Sequence, residues 1–178
     1  SNITLYTGAQ VKQVGGYIGN YTVTFDSSEQ KALQEEVGCI VVATGALPLR
    51  PEGLYGYDGR QVITQMELES RLKQGSLGAK RVVMIQCVGA RDKNRAYCSR
   101  ICCLTAVKNA RLLKERDPET EVHVLYRDMQ MYGTSREQLL WEARGEGIDF
   151  SVYDPARPPQ VSDGSVRFHH SLLGRDVD

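Results

Sequence analysis

The chain has 178 residues, 41% hydrophobic and 25% charged, an ordinary globular composition with apolar material for one good core, or one core and a smaller lobe. Its 22 basic residues equal its 22 acidic ones, so no electrostatic case exists for nucleic acid. The longest apolar run, Cys39-Ile40-Val41-Val42-Ala43, is far too short to span a bilayer, and no signal peptide or secreted disulfide framework is visible, so a reducing cytoplasm is expected. A start at Ser1 without methionine and a stop at Asp178 without terminating logic predict an excised piece of a larger protein.

In chain order, residues 3 to 26 read as short antiparallel strands, with Tyr21, Val23 and Phe25 alternating with Thr22, Thr24 and Asp26. Gly15-Gly16 and Gly19-Asn20 supply turns. Residues 27–36 read as a polar loop or short helix. Gly38 to Thr44 is a continuous apolar run, expected to be a strand buried on both faces with Cys39 in the core. Residues 46–60, rich in proline and glycine, read as a connector and domain boundary. Thr64 then caps a helix, with Glu67 in the capping-box position.

From Lys80 the pattern is strand, helix, strand, helix, strand. The strands are 81–86, 121–126 and 148–152, and the helices open at Cys102 and near Ser135. Such alternation predicts an α/β domain, a parallel sheet covered by helices. Leu139, Leu140 and Trp141 are expected to pack the second helix, His123 to face solvent or a neighbouring strand, and residues 165–173 to form a last strand or hairpin. Arg127 and Asp128, at a strand end, read as surface charge.

Four of the five cysteines, Cys87, Cys98, Cys102 and Cys103, fall within seventeen residues as C-x10-C-x3-C-C. They occupy the strand end, loop and helix start where a dinucleotide-binding fold places a phosphate. Thiolates bind soft or borderline metals, which leaves an iron–sulfur cluster, a structural zinc, or structural and redox thiols. The cluster is favoured, because adjacent cysteines converge poorly on one tetrahedral zinc but can each hold a different iron. Arg91, Lys93, Arg95 and Arg100 surround the loop and would offset its negative charge. Nicotinamide binding is disfavoured, because Gln86-Cys87-Val88-Gly89-Ala90-Arg91 keeps one glycine where G-x-G-x-x-G is required. The three histidines lack metal-ligand spacing with the thiols.

Cys87-Val88-Gly89-Ala90-Arg91 and Tyr97-Cys98-Ser99-Arg100-Ile101-Cys102-Cys103 resemble the flavin-containing component of the heterodisulfide reductase A family and its relative in the quinone-interacting oxidoreductase complex. Val41-Val42-Ala43-Thr44-Gly45-Ala46, Leu125-Tyr126-Arg127-Asp128, Tyr153-Asp154-Pro155 and Leu172-Leu173-Gly174-Arg175 extend the match over essentially the whole chain. The resemblance implies a thioredoxin-reductase-like, Rossmann-like fold and an FAD and 4Fe–4S electron-transfer oxidoreductase whose partners are other domains of its parent and partner subunits. It implies cluster ligation by Cys87, Cys98, Cys102 and Cys103, and flavin contact by Ala43, Thr44 and Gly45. Lys108, on the same helix as Cys103, is a candidate to tune flavin or cluster charge, against the blander expectation of a solvated lysine. On this view residues 1–60 are a partial FAD-domain segment. Residues 61–155 are the Rossmann-like domain carrying the cysteines, and 156–178 are a segment returning toward the FAD domain. The N-terminal FAD glycine fingerprint and the ferredoxin-type cysteine runs of that family are missing, so little or no FAD is expected in this chain.

Overall fold

The structure, a computed structural model, describes residues 2–178; Ser1, the first residue of the expected FAD-domain segment, lies outside the described residues. The chain divides into two compact units, one through Leu47 and one from Pro48 onward.

The first unit is an antiparallel meander of β1 (Gln10–Tyr17), β2 (Asn20–Asp26) and β3 (Leu33–Val37), in that spatial order. Tyr17 pairs with Asn20, so the turn is Ile18-Gly19 rather than Gly15-Gly16, which lie inside β1. Gly16 is nonetheless obligatory: at φ +88°, an added Cβ would stand 2.1 Å from the Asn20 carbonyl oxygen. The polar loop expected at 27–36 instead contains most of β3. The Asp26 carboxylate accepts the Ala32 N–H at 3.0 Å and returns the chain into register. With only Leu33 and Val37 partly buried, β3 carries too little apolar patterning to announce itself. Phe25 is buried, with the Tyr6 ring edge-on at 4.8 Å.

The expected buried strand at 38–44 is not formed. Cys39 is exposed rather than core, and Val41 and Val42 are 81% and 82% exposed. A continuous apolar run becomes a buried strand only when ladder partners flank it. Among the described residues none of the three sheets pairs with this segment.

The second unit holds α1 (Gln65–Gln74), β4 (Arg81–Ile85), α2 (Cys102–Arg116), β5 (Glu121–Tyr126), α3 (Thr134–Gly145) and β6 (Asp149–Val152). The three strands form a parallel sheet in the order β4-β5-β6. It is a mixed α/β unit, as the alternation predicts. Alternate residues point to opposite faces. Val82, Met84, Val122 and Val124 join Cys103, Ala106, Val107, Ala110 and Leu113 of α2 in the main core. On the other face Leu125 and Tyr153 meet Phe168. Phe168 belongs to a second antiparallel meander, β7 (Gln160–Ser162), β8 (Ser165–His170) and β9 (Arg175–Val177). His123 lies on this face, its Nε2 2.9 Å from Ser151 Oγ of β6 and its ring against Phe168. Trp141, expected in the packing of α3, is instead 68% exposed; the helix buries Ala143, with Leu139 and Leu140 at the core edge.

Helix α1 starts as its sequence requires. Thr64 Oγ1 accepts the Glu67 N–H at 3.3 Å, and Glu67 Oε2 accepts the Thr64 N–H at 2.7 Å. Gly75, at φ +67°, closes the other end. Replacing Thr64 with alanine removes one half of this box. The expected result is a loss of about 1 kcal/mol of unfolding free energy, read by urea titration; an unchanged midpoint would contradict it.

Candidate metal centre

The clustered thiols lie beyond the carboxyl ends of β4 and β5 and at the amino end of α2, where open parallel sheets bind ligands. Strand β4 ends at Ile85, but the Gln86 N–H still donates to the Leu125 carbonyl at 2.8 Å. The chain then leaves the sheet sharply. Cys87, Arg91 and Arg100 adopt left-handed φ of 62°, 57° and 62°. Such conformations in non-glycine residues cost on the order of 1–3 kcal/mol each and concentrate at functional sites. Asp92 organises the loop by accepting the Asn94 and Arg95 N–H groups, each at 2.8 Å.

Helix α2 has no side-chain cap from Ile101, the residue before it. The Cys102 sulfur takes that place. It accepts the thiol of Cys103, the Ser99 hydroxyl and first-turn backbone N–H groups. These donors, led by Cys103, lower the Cys102 thiol to about 5 against its partial burial. The same bond, with burial, pushes the Cys103 thiol up. Cys103 also points at the Asp128 carbonyl, 3.9 Å away. Burial and then the Cys102 charge raise the Cys87 thiol, while Arg91 and Arg127 oppose that rise. Cys87, Cys102 and Cys103 therefore form one electrostatic group. Cys98 stands in the loop, its sulfur accepting the Arg100 N–H at 3.3 Å. Cys39 belongs to the other unit.

Among the described residues, no three histidine, cysteine, aspartate or glutamate side chains gather closely enough for one metal ion. Two buried donors beside the thiols have no partner, Gln86 Nε2 and Arg91 Nη1. Orphaned donors next to a set of soft thiol ligands fit an anionic group held at that place.

Four further residues shape the site. Arg127 Nη1 donates to the Arg91 carbonyl at 2.9 Å, and Asp128 Oδ2 pairs with Arg91 Nη2 at 2.5 Å. The Tyr153 hydroxyl donates to the Gln86 carbonyl at 2.8 Å from a buried position. Tyr55, half-buried, lies within electrostatic reach of Cys87, Arg127 and Tyr153. Arg127 and Asp128, expected as surface charge, instead tie the cysteine loop to β5. The signal available in the sequence was their place just beyond a parallel strand, where ligand sites form. The expected connector also takes part: its Leu49 packs over Gly89, where an added Cβ would meet Leu49 Cδ2 at 2.2 Å.

Other candidates lie apart from this group. Lys108 bonds Glu69 at 2.6 Å, linking α2 to α1. Ala43, Thr44 and Gly45 are exposed and outside any strand, and a Cβ on Gly45 would meet nothing within 4 Å. His169 bonds Asp176, and the His170 ring accepts the Leu173 N–H.

No family model matches the chain. It is 36% identical to the iron-sulfur component, HdrA-type, of the CoB–CoM heterodisulfide reductase of Methanocaldococcus jannaschii, over 90% of the chain and 27% of that protein. The chain is a homologue of part of the heterodisulfide reductase A family. Identity is 38% to the corresponding component of the H2:CoB-CoM heterodisulfide,ferredoxin reductase of Methanothermobacter marburgensis, over 83% of the chain and 25% of that protein. It is 36% to that of the ferredoxin/F420H2-dependent CoB-CoM heterodisulfide reductase of Methanosarcina acetivorans, over 81% of the chain and 21% of that protein. The chain thus spans about a quarter of the length of the relatives it matches, all named as subunits of reductases. No described helix is long and apolar enough to cross a membrane.

The lowered Cys102 thiol has a measurable consequence in metal-free protein. Thiolate forms as pH rises through the thiol pKa, so alkylation at Cys102 is expected to climb from about pH 5. A free thiol shows the same climb near pH ~8.5. Iodoacetamide labelling read by peptide mass spectrometry checks this; a climb only near the free-thiol value would contradict it.

Proposed function

We propose that the chain is an electron-transfer part of an iron–sulfur oxidoreductase of the heterodisulfide reductase A type, holding a 4Fe–4S cluster through Cys87, Cys98, Cys102 and Cys103. The observation that carries this reading is the convergence of Cys87, Cys102 and Cys103 at the carboxyl edge of the parallel sheet, beside two unpartnered buried donors. The iron-sulfur designation of the Methanocaldococcus jannaschii relative supports it.

Ligation by four separate irons does not require three side chains around one point, so the reading is consistent with the spread of the thiols. Cys98 would approach by movement of the exposed loop, whose ends are held at Arg91 and at the start of α2. A bound cluster would supply one-electron transfer. The chain's own part is positional. The first turn of α2 turns its N–H groups toward Cys102, the strand ends hold Cys87 beside Arg91, and the core under Cys103 excludes water.

Flavin contact through Ala43, Thr44 and Gly45 rests on family resemblance alone. These residues form no cradle here, and no step is derived through a flavin. Lys108 is engaged in helix pairing by Glu69.

Anaerobic reconstitution of five serine variants, with iron and sulfide counted per chain, tests the ligand set. Serine at Cys87, Cys98, Cys102 or Cys103 is expected to abolish or degrade iron binding, because its oxygen is a harder and weaker ligand for iron. Serine at the exposed Cys39 is expected to change neither iron content nor stability. A full iron complement in any of the first four, or zinc in place of iron in the unmodified protein, would overturn the assignment.

A further inference from the structure

Arg91 is the least ordinary charged residue in the second unit. Its backbone is left-handed, its carbonyl is bound by Arg127, and its Nη2 is paired with Asp128. Its guanidinium reaches the Cys87 thiol, and its Nη1 is buried without a nitrogen or oxygen partner. The side chain is 27% exposed, against 59% for its Asp128 partner. Arg127 and Asp128 are consecutive, so one strand end holds both the backbone and the head group of Arg91. The Asp128 carbonyl also lies opposite the Cys103 thiol, which joins a second ligand candidate to the same clamp.

A surface arginine chosen for solubility has no need of three such restraints. Holding a flexible side chain in one place costs conformational entropy, and an exposed ion pair returns little of it. The restraints aim a permanent positive charge at one sulfur. A guanidinium suits the task, because its planar fork can bond a carboxylate on one side and present N–H groups on another; an ammonium cannot hold that geometry.

We infer that Arg91, clamped by Asp128 and Arg127, is a positioning residue that donates to the Cys87 sulfur and raises the reduction potential of the group bound there. This rests on the ligand assignment above. Adding an electron to a thiolate-ligated cluster increases its negative charge. A fixed cation and an N–H donor at one ligand sulfur favour the reduced form.

The test is an anaerobic redox titration of the protein as its organism makes it, followed by electron paramagnetic resonance, with iron counted per chain in every sample. Arg91→Gln is expected to keep iron and shift the reduction equilibrium at least tenfold toward the oxidised form, about 59 mV for one electron. Asp128→Asn removes the counter-charge and is expected to shift it the opposite way. Arg91→Lys should lie between Arg91→Gln and the parent. Lys93→Gln, an exposed charge on the same loop, should match the parent. An unchanged potential in Arg91→Gln, or an equal shift in Lys93→Gln, overturns the inference while leaving the ligand assignment intact. If Arg91→Gln loses its iron, Asp128→Asn decides: a rise supports the clamp and no change overturns it. A parent protein without iron overturns the ligand assignment, and this inference with it.

Discussion

The candidate centre depends on the register of one parallel ladder. Ile85 pairs with Leu125, and the Gln86 N–H bonds the Leu125 carbonyl. Cys87 therefore emerges from the sheet level with Arg127 and next to Asp128. A slip of one residue would turn every side chain of β4 to the opposite face and separate the thiol from both charges. Nothing in the loop itself supplies that alignment. It comes from the alternation of Val82 and Met84 into the helical core with Ile85 into the opposite one.

Helix α2 supplies the second fixed point. Ala106, Val107 and Ala110 are completely buried, and two of the three are alanine, so the helix lies close over the sheet. Asn109, equally buried, donates to Gln65 Oε1 at 2.7 Å and pins α2 against the start of α1. That packing sets where the first turn points. Cys102 and Cys103 occupy the turn, one at the edge of the core and one inside it. Their unequal environments separate their thiols electrostatically, although they are neighbours in sequence.

Between these two points runs a loop under tension. It has three left-handed non-glycine residues and is anchored at Arg91 from β5 and through Asp92 within itself. A phosphate-binding loop at this location would use glycines to bring backbone close to its ligand. Here the side chains make the approach, so β-carbons are retained at the cost of strained backbone. Leu49 and Tyr55, from the segment before α1, close over the strand end and reduce access of water to Cys87.

Sequence alone determined the elements whose signals are local. The capping box at Thr64 and Glu67, the βαβαβ alternation from Arg81 to Val152 and the C-x10-C-x3-C-C spacing need no partner to be recognised. It failed where a residue's environment is made by distant chain. The apolar run at Cys39–Thr44 has strand composition but no ladder partner among the described residues, so Val41 and Val42 face solvent. Strand β3 has little apolar signal but gains a partner in β2. Arg127 and Asp128 look like any charged strand end, and only the β4–β5 register brings them against Arg91. Which residues can ligate is a property of side-chain chemistry, and the sequence carries it directly. Which residues hold those ligands and set their charge is decided by pairing across 36 or more positions of chain, and that belongs to the tertiary structure.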